Sequence, residues 1–241
     1  MSHHNGPALE AVNLSKTFGN HRALNDLCLK VEPGMIYSML GANGAGKTTT
    51  VNLFLNFLEP SGGQAKVLGV NVSTNTSQAR SQITYIPEQV ALYPDLTGLE
   101  NLTYFLQLAG HRGPNQPVLR GALEEAGLAP EFHTKRVQGY SKGMRQKVGV
   151  AMALVRRSSV LLLDEPMSGL DPASANEFSN ILTGLSRQGA AIFMVTHDLY
   201  RVKQLSHRVG IMKRGQLVDE RETRDLETTE LEKLYLEHMR L

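Results

Sequence analysis

The sequence predicts an α/β protein with a mainly parallel core, an N-terminal antiparallel β-subdomain and an inserted α-helical subdomain. Three observations carry this. The first third of the chain alternates apolar and polar residues at period two, four other runs are short and almost wholly apolar, and the stretch 97–157 shows helical periodicity with no strand pattern inside it. All 241 residues are expected in a single domain, with the core and β-subdomain over 8–96 and 158–225, the helical subdomain over 97–157 and a closing helix over 226–241.

The alternating segments are "ALEAVNLSKTF" (8–18), "ALNDLCLKV" (23–31) and "GQAKVLGV" (63–70), each read as one antiparallel strand with a wet face. The apolar runs "MIYSML" (35–40), "ITYI" (83–86), "VLLL" (160–163) and "AIFMV" (191–195) suit a sheet covered on both faces. Each runs straight into polar residues: "GANGAGKT", "PEQ", "DEP" and "THD". Ligands of open α/β sheets bind beyond the carboxyl ends of parallel strands, so the four clusters are expected to meet in one crevice.

Between 97 and 157, "LTGLENLTYFLQLAG", "PVLRGALEEAGL" and "KGMRQKVGVAMALVRR" repeat apolar residues at helical spacing, and "GHRGPNQP" breaks the first from the second. The final "LETTELEKLYLEHMRL" is a short amphipathic helix whose polar face mixes both charges, which favours packing on the core over lying on a membrane.

Composition narrows the function. With 41% apolar residues the chain can bury a sizeable core, and a formal charge of +2 without a dense Lys/Arg block argues against a nucleic-acid or anionic-membrane binder. Cys28 is the sole cysteine, which excludes an intramolecular disulfide or a multi-thiolate metal site. Its place in "LCLKV" reads as core packing. No apolar run approaches the ~18 residues that span a bilayer, and "MSHHNGP" lacks the apolar core of a signal peptide. His3 and His4 read as part of a polar tail rather than a metal site.

The stretch from Gly41 to Thr48 fits GxxxxGK[ST] between a strand and a helix-like run, the context this phosphate-binding loop requires. Gly41, Asn43, Gly44, Ala45, Gly46, Lys47, Thr48 and Thr49 are the candidate phosphate ligands. Backbone N–H groups would wrap the phosphates, Lys47 would reach the terminal ones, and the Thr48 hydroxyl would complete magnesium coordination. At the end of "VLLLDEP", Asp164 suits holding Mg²⁺ and Glu165 suits polarising the attacking water. His197, closing "IFMVTH", becomes a candidate γ-phosphate sensor once the four clusters meet. "SGLDP" alone would be a turn opening a helix at Asp171 and Pro172. No arginine finger stands out.

Taken in order, the phosphate loop, "YIPEQ", "YSKGMRQ", "LLLDEP", "SGLD" and "VTHD" resemble the nucleotide-binding subunit of ATP-binding cassette transporters, over nearly the whole chain. The diagnostic part is "YSKGMRQ", the signature that other phosphate-loop proteins lack. The resemblance implies a P-loop NTPase core of RecA-like type, ATP and Mg²⁺ as ligands, and a head-to-tail dimer, of like or paired cassettes, in which each signature closes over the partner's ATP. It further implies that Phe18 stacks on adenine, that Asp171 communicates across the dimer and that His197 is the switch histidine. The glutamine-loop position falls at Glu88, with Gln89 next to it, so either residue could serve the magnesium shell. Tyr140, Lys142 and Met144 replace the leucine, first glycine and glutamine of the commonest signature. This variant, with "LYPDLTGLENL", looks like the branch serving exporters of drugs, sodium and polysaccharides. In that family the surface around "YPDLTGLENL" receives a helix from the permease, and the subunit sits on the inner face of the cell membrane.

The alternative is a soluble cassette acting on ribosomes or DNA, which usually carries two cassettes or basic insertions that this chain lacks; a phosphotransferase or nucleotide switch would not need the signature. One detail of the signature is specific to this sequence. Ser141 as helix cap, Gly143 and Lys142 together form an anion site, with a lysine where the helix end is already positive. The expectation is that no anion within the chain fills it and that the γ-phosphate on the other subunit does.

Overall fold

The computed structural model describes residues 6–111 and 115–240. His3 and His4, and the centre of "GHRGPNQP", lie outside them. In chain order the elements are β1 (Leu9–Phe18), β2 (His21–Val31), β3 (Ile36–Leu40), α1 (Lys47–Phe54), β4 (Gly62–Val67), β5 (Val70–Asn71), α2 (Thr76–Ser81) and β6 (Ile83–Ile86). There follow α3 (Gly98–Leu108), α4 (Gln116–Glu125), α5 (Lys142–Arg156), β7 (Val160–Asp164), α6 (Pro172–Arg187), β8 (Ala191–Thr196), α7 (Leu199–Leu205), β9 (Arg208–Lys213), β10 (Gln216–Glu222) and α8 (Thr228–Arg240).

Six strands form the core sheet in the order β10-β9-β3-β8-β7-β6, parallel from β9 to β6 with β10 antiparallel at one edge. The apolar runs are continuous because each strand feeds two cores. Tyr37, Met39, Leu162, Phe193 and Val195 pack on one face with Val51 and Phe54 of α1. On the other face, Ile36, Leu161, Leu163, Ile192 and Met194 join Val148 and Ala151 of α5 and Phe178 and Leu182 of α6. A second, antiparallel sheet of order β2-β1-β4-β5 forms the N-terminal part.

The helices α3, α4 and α5 follow one another with no strand among the described residues between them; an isolated bridge pairs Thr97 with Arg136. Thr97 and Glu100 close a capping box at the start of α3: the Thr97 hydroxyl accepts from the Glu100 N–H, and the Glu100 carboxylate accepts from the Thr97 N–H. Leu231 of α8 is fully buried with Leu40, Val202 and Val209, so the closing helix packs on the core.

Three readings change. "GQAKVLGV" is a hairpin, because Leu68 and Gly69 both take positive φ, 48° and 76°, and make the two-residue turn between β4 and β5. Cys28 is exposed rather than buried: Leu27 and Leu29 point into the core and strand alternation turns the thiol outward, where it accepts from the Asn13 N–H at 3.3 Å. The core sheet also gains β9 and β10, whose charged ends "RVGIMK" and "QLVDERE" hid a strand pattern.

Candidate functional site

The phosphate loop joins β3 to α1. Gly46, which precedes α1, has φ 109°, and a Cβ there would sit 2.7 Å from the Ala23 carbonyl oxygen. Only glycine fits both constraints. The first turn of α1 carries no acidic side chain and Gly46 offers no side-chain cap, so the positive end of the helix is left for an external anion. Lys47 is buried and its Nζ donates to the Gly41 carbonyl at 2.6 Å, folding the side chain back over the loop. Burial pulls its pKa down, and the charges of Glu165 and Asp164 work against that.

Around this loop opens a cleft of about 320 Å³ lined by Phe18, His21, Ala23 and residues Ala42 through Thr49. Phe18 presents an exposed ring, with the Lys16 ammonium 5.1 Å from its centroid. His21 and Ala23 had no signal of their own in the sequence; the hairpin pairing of Phe18 with His21 brings them to the cleft. A larger cleft, about 1530 Å³, opens at the amino ends of β6, β7 and β8 beside Gln82, Ser159 and Ala190. None of the candidate site residues lines it.

At the carboxyl ends of β7 and β8 the acidic pair meets the histidine. Glu165 takes φ 45°, a left-handed backbone unusual for a side chain of its size, and its N–H donates to the Val195 carbonyl at 2.9 Å. Both carboxylate oxygens are engaged: Thr196 Oγ1 donates to Oε2 at 3.0 Å and His197 Nδ1 lies 2.8 Å from Oε1. A carboxylate only accepts, so this fixes Nδ1 as the donor. Asp164, next in the chain, has its pKa raised by burial first and then by the Glu165 and Glu88 carboxylates, against a weaker pull from Lys47 and the Thr48 hydroxyl. Thus hydrogen bonds and charges link the phosphate loop, Asp164, Glu165, His197 and Glu88 into one cluster at the carboxyl ends of their strands, while the cleft itself is lined by the loop with Phe18, His21 and Ala23. Gln89 forms no side-chain hydrogen bond among those of the described residues, and the Glu88 charge reaches Asp164, an effect that the uncharged Gln89 could not exert in either position.

The signature begins as expected and then departs. Ser141 caps α5, its Oγ accepting from the Met144 N–H at 3.2 Å, and Met144 packs against the core beside it. Gly143 faces Leu170. Lys142, however, has an anion within its own chain: its Nζ lies 3.3 Å from Glu88 Oε1, so the expectation of an unfilled site is corrected. The two residues stand 54 positions apart, beyond the reach of local pattern reading.

Asp171 caps α6, its Oδ1 accepting from the Ala173 and Ser174 N–H groups at 3.0 Å, and the Ser174 hydroxyl holds its pKa down. Arg201 of α7 ties this helix to the one after His197: its buried guanidinium donates to Asn176 Oδ1 and to the Pro172 carbonyl.

The donor set fits a magnesium nucleotide. No three His, Cys, Asp or Glu side chains among the described residues could cage a metal alone. Mg²⁺ is ordinarily held by one or two protein oxygens together with substrate phosphates, and Thr48, Asp164 and Glu88 supply hard oxygen donors at the loop. The crowding of carboxylates that raises the Asp164 pKa is the repulsion a dication would relieve.

Comparison with known proteins agrees with this geometry. Residues 24–168 match the ABC transporter family. The bacitracin transport ATP-binding protein BcrA of Enterococcus faecalis is 37% identical over 88% of this chain and 68% of its own length. The daunorubicin/doxorubicin resistance ATP-binding protein DrrA of Streptomyces peucetius is 31% identical over 92% of this chain and 67% of its own. Among solved structures, a dimeric ATP-binding cassette in a post-hydrolysis state bound to ADP and Pi superposes with a TM-score of 0.79, at 25% identity, over 90% of this chain and 99% of that one. The chain belongs to the ABC transporter family, as one of its ATP-binding ATPase subunits.

Proposed function

We propose that this subunit hydrolyses ATP as half of a head-to-tail pair of cassettes and thereby drives a separate membrane permease that exports its cargo. The observation that supports the reading is Glu165, a carboxylate held between Thr196 and His197 and near enough for its charge to act on Lys47 of the phosphate loop.

In this reading the phosphates of ATP lie along the backbone N–H groups from Asn43 to Thr49, against the open end of α1. Gly41, Gly44, Ala45 and Gly46 shape that backbone, and Phe18 stacks on the base. Lys47 exchanges its Gly41 carbonyl for the terminal phosphates. Thr48, Asp164 and Glu88 would hold Mg²⁺, which supplies charge neutralisation at the phosphate oxygens. Glu165 accepts the proton of the attacking water, and His197 orients both the carboxylate and the γ-phosphate. Ser141, Lys142, Gly143 and Met144 present the α5 N-terminus to the partner's ATP, and Asp171 reports across the same interface.

No helix among the described residues is long and apolar enough to cross a membrane, so attachment would come from the permease. Tyr93 and Tyr104 are half-exposed, pack edge to face at 4.9 Å and form the surface we assign to a permease helix. The fully buried Asn101 holds that loop, accepting from the Tyr93 N–H at 2.8 Å and donating to the carbonyls of Tyr93 and Thr97. Such an assembly sits on the cytoplasmic face of the cell membrane, and its cargo contacts lie in the permease. Relatives named for bacitracin transport and drug resistance favour this over a cassette serving ribosomes or DNA.

The test is the concentration dependence of turnover. ATPase rate per subunit should rise with protein concentration in dilute samples, and Glu165→Gln with ATP should elute as a dimer; a rate independent of concentration, with a monomeric variant, would remove the paired-cassette reading. Affinity capture from native membranes should bring down a polytopic membrane protein. Recovery of ribosomal proteins or nucleic acid in its place would favour the other reading.

A further inference from the structure

The ion pair between Glu88 and Lys142 joins two elements that the reaction needs separately. Glu88 follows β6 and its charge reaches Asp164 of its own chain; Lys142 opens α5, which in the paired-cassette reading is the signature helix presented to the partner's nucleotide. While they hold each other at 3.3 Å, one oxygen of the carboxylate and the ammonium are committed to each other rather than to a metal or a phosphate. Both side chains keep access to water, at 28% for Lys142 and 49% for Glu88, so the contact is weak enough to exchange.

We propose that Glu88 and Lys142 form a charge latch within each subunit, opened when magnesium nucleotide enters that subunit's phosphate loop, which releases Lys142 to the terminal phosphate on the partner. The inference rests on the paired-cassette reading above and adds its regulation. The exchange is electrostatically balanced: Glu88 trades an ammonium for a dication, and Lys142 trades a carboxylate for a phosphate anion of higher charge. It also removes the oddity of a lysine at a helix N-terminus, since in the resting subunit Glu88 neutralises it, and in the closed pair the phosphate does.

The consequence is directional coupling. Nucleotide in one phosphate loop arms the signature of the same chain, and that signature serves the other nucleotide site. Each loading event therefore favours the second, without contact between the two nucleotides. A signature lysine with no cis partner would give no such dependence.

The experiment reads dimerisation rather than turnover. In a Glu165→Gln background, the ATP concentration for half-maximal dimer is measured by light scattering with EDTA and again with magnesium. Adding Glu88→Gln, which keeps the side-chain shape, frees Lys142 without nucleotide. It should lower that concentration about two- to fivefold in EDTA, the range of a partly exposed ion pair. The gain should shrink with magnesium, which opens the latch in the parent, and at high salt, which screens it. Lys142→Gln should raise the concentration, and Glu88→Gln added to Lys142→Gln should change nothing more, because the pair is already gone. Matching circular dichroism and melting temperatures establish that the variants are folded. An unchanged or higher concentration for Glu88→Gln in EDTA, or additive effects of the two substitutions, overturns the latch while leaving the paired-cassette reading in place. Failure of the Glu165→Gln parent itself to dimerise with ATP overturns that reading, and the latch with it.

Discussion

His197 Nδ1 sits 2.8 Å from Glu165 Oε1 while the Thr196 hydroxyl occupies the other oxygen at 3.0 Å, so two consecutive residues of one strand end hold the carboxylate of its neighbour. Glu165→Gln keeps the shape and one acceptor oxygen but removes the carboxylate that serves as base in the proposed reaction. Phosphate release should fall ~10²–10⁴-fold while ATP affinity stays near the parent value, which filter binding and a phosphate assay would separate.

Lys47 donates to two carbonyls of its own loop, Gly41 at 2.6 Å and Ala42 at 3.3 Å, and in the proposed reaction phosphates would replace them. Lys47→Met removes a charge-assisted hydrogen bond to the nucleotide. ATP affinity should weaken about ten- to a hundredfold, read by isothermal titration, and the melting temperature of the nucleotide-free chain should change little.

Gly46→Ala combines an unfavourable φ of 109° with a 2.7 Å approach to the Ala23 carbonyl. The strain should cost about 1–3 kcal/mol in thermal or urea unfolding and abolish nucleotide binding. Gly121→Ala is the control, since α4 is exposed there and a Cβ meets nothing within 4 Å. It should stabilise the chain by roughly 0.5–1 kcal/mol through helix propensity.

The raised Asp164 carboxyl makes a pH prediction with a definite sign. Burial, then the Glu165 and Glu88 charges, make the folded chain bind this proton more tightly than the unfolded chain does. Its contribution to stability is therefore present below the usual carboxylate pKa and is lost as pH rises through the raised value. Asp164→Asn should raise the melting temperature of the nucleotide-free chain at neutral pH, with the gain fading toward about pH 4. The same substitution should erase the extra stabilisation that magnesium adds to ATP.

Much of the site was legible because its signals are local. The loop from Gly41 to Thr48 is contiguous, Ser141 lies next to the helix it caps, and apolar runs lead directly into Asp164 and His197. What escaped depends on side chains meeting across the fold. Glu88 and Lys142 meet across 54 positions, and Thr196 reaches Glu165 across a strand pairing, through a backbone turn at φ 45° that residue type does not foretell. Cys28 differs from its expected core position for another reason: Leu27 and Leu29 take the inward positions of "LCLKV", and strand parity leaves the thiol on the outer face despite its apolar character. Leu68 hid a turn because leucine seldom takes positive φ.

The strands that end in the phosphate loop, His197, Glu165 and Glu88 stand side by side as β3, β8, β7 and β6. Adjacent strands lie about 4.8 Å apart, so the sheet works as a ruler whose marks run roughly 14 Å from the Gly41–Thr48 loop to the strand end that carries Glu88. Substitution at a strand end can change what stands at a mark, but not the interval between marks. The residues of this cassette's loops and signature can thus diverge while the spacing between the four strand ends stays with the hydrogen-bonded ladder itself.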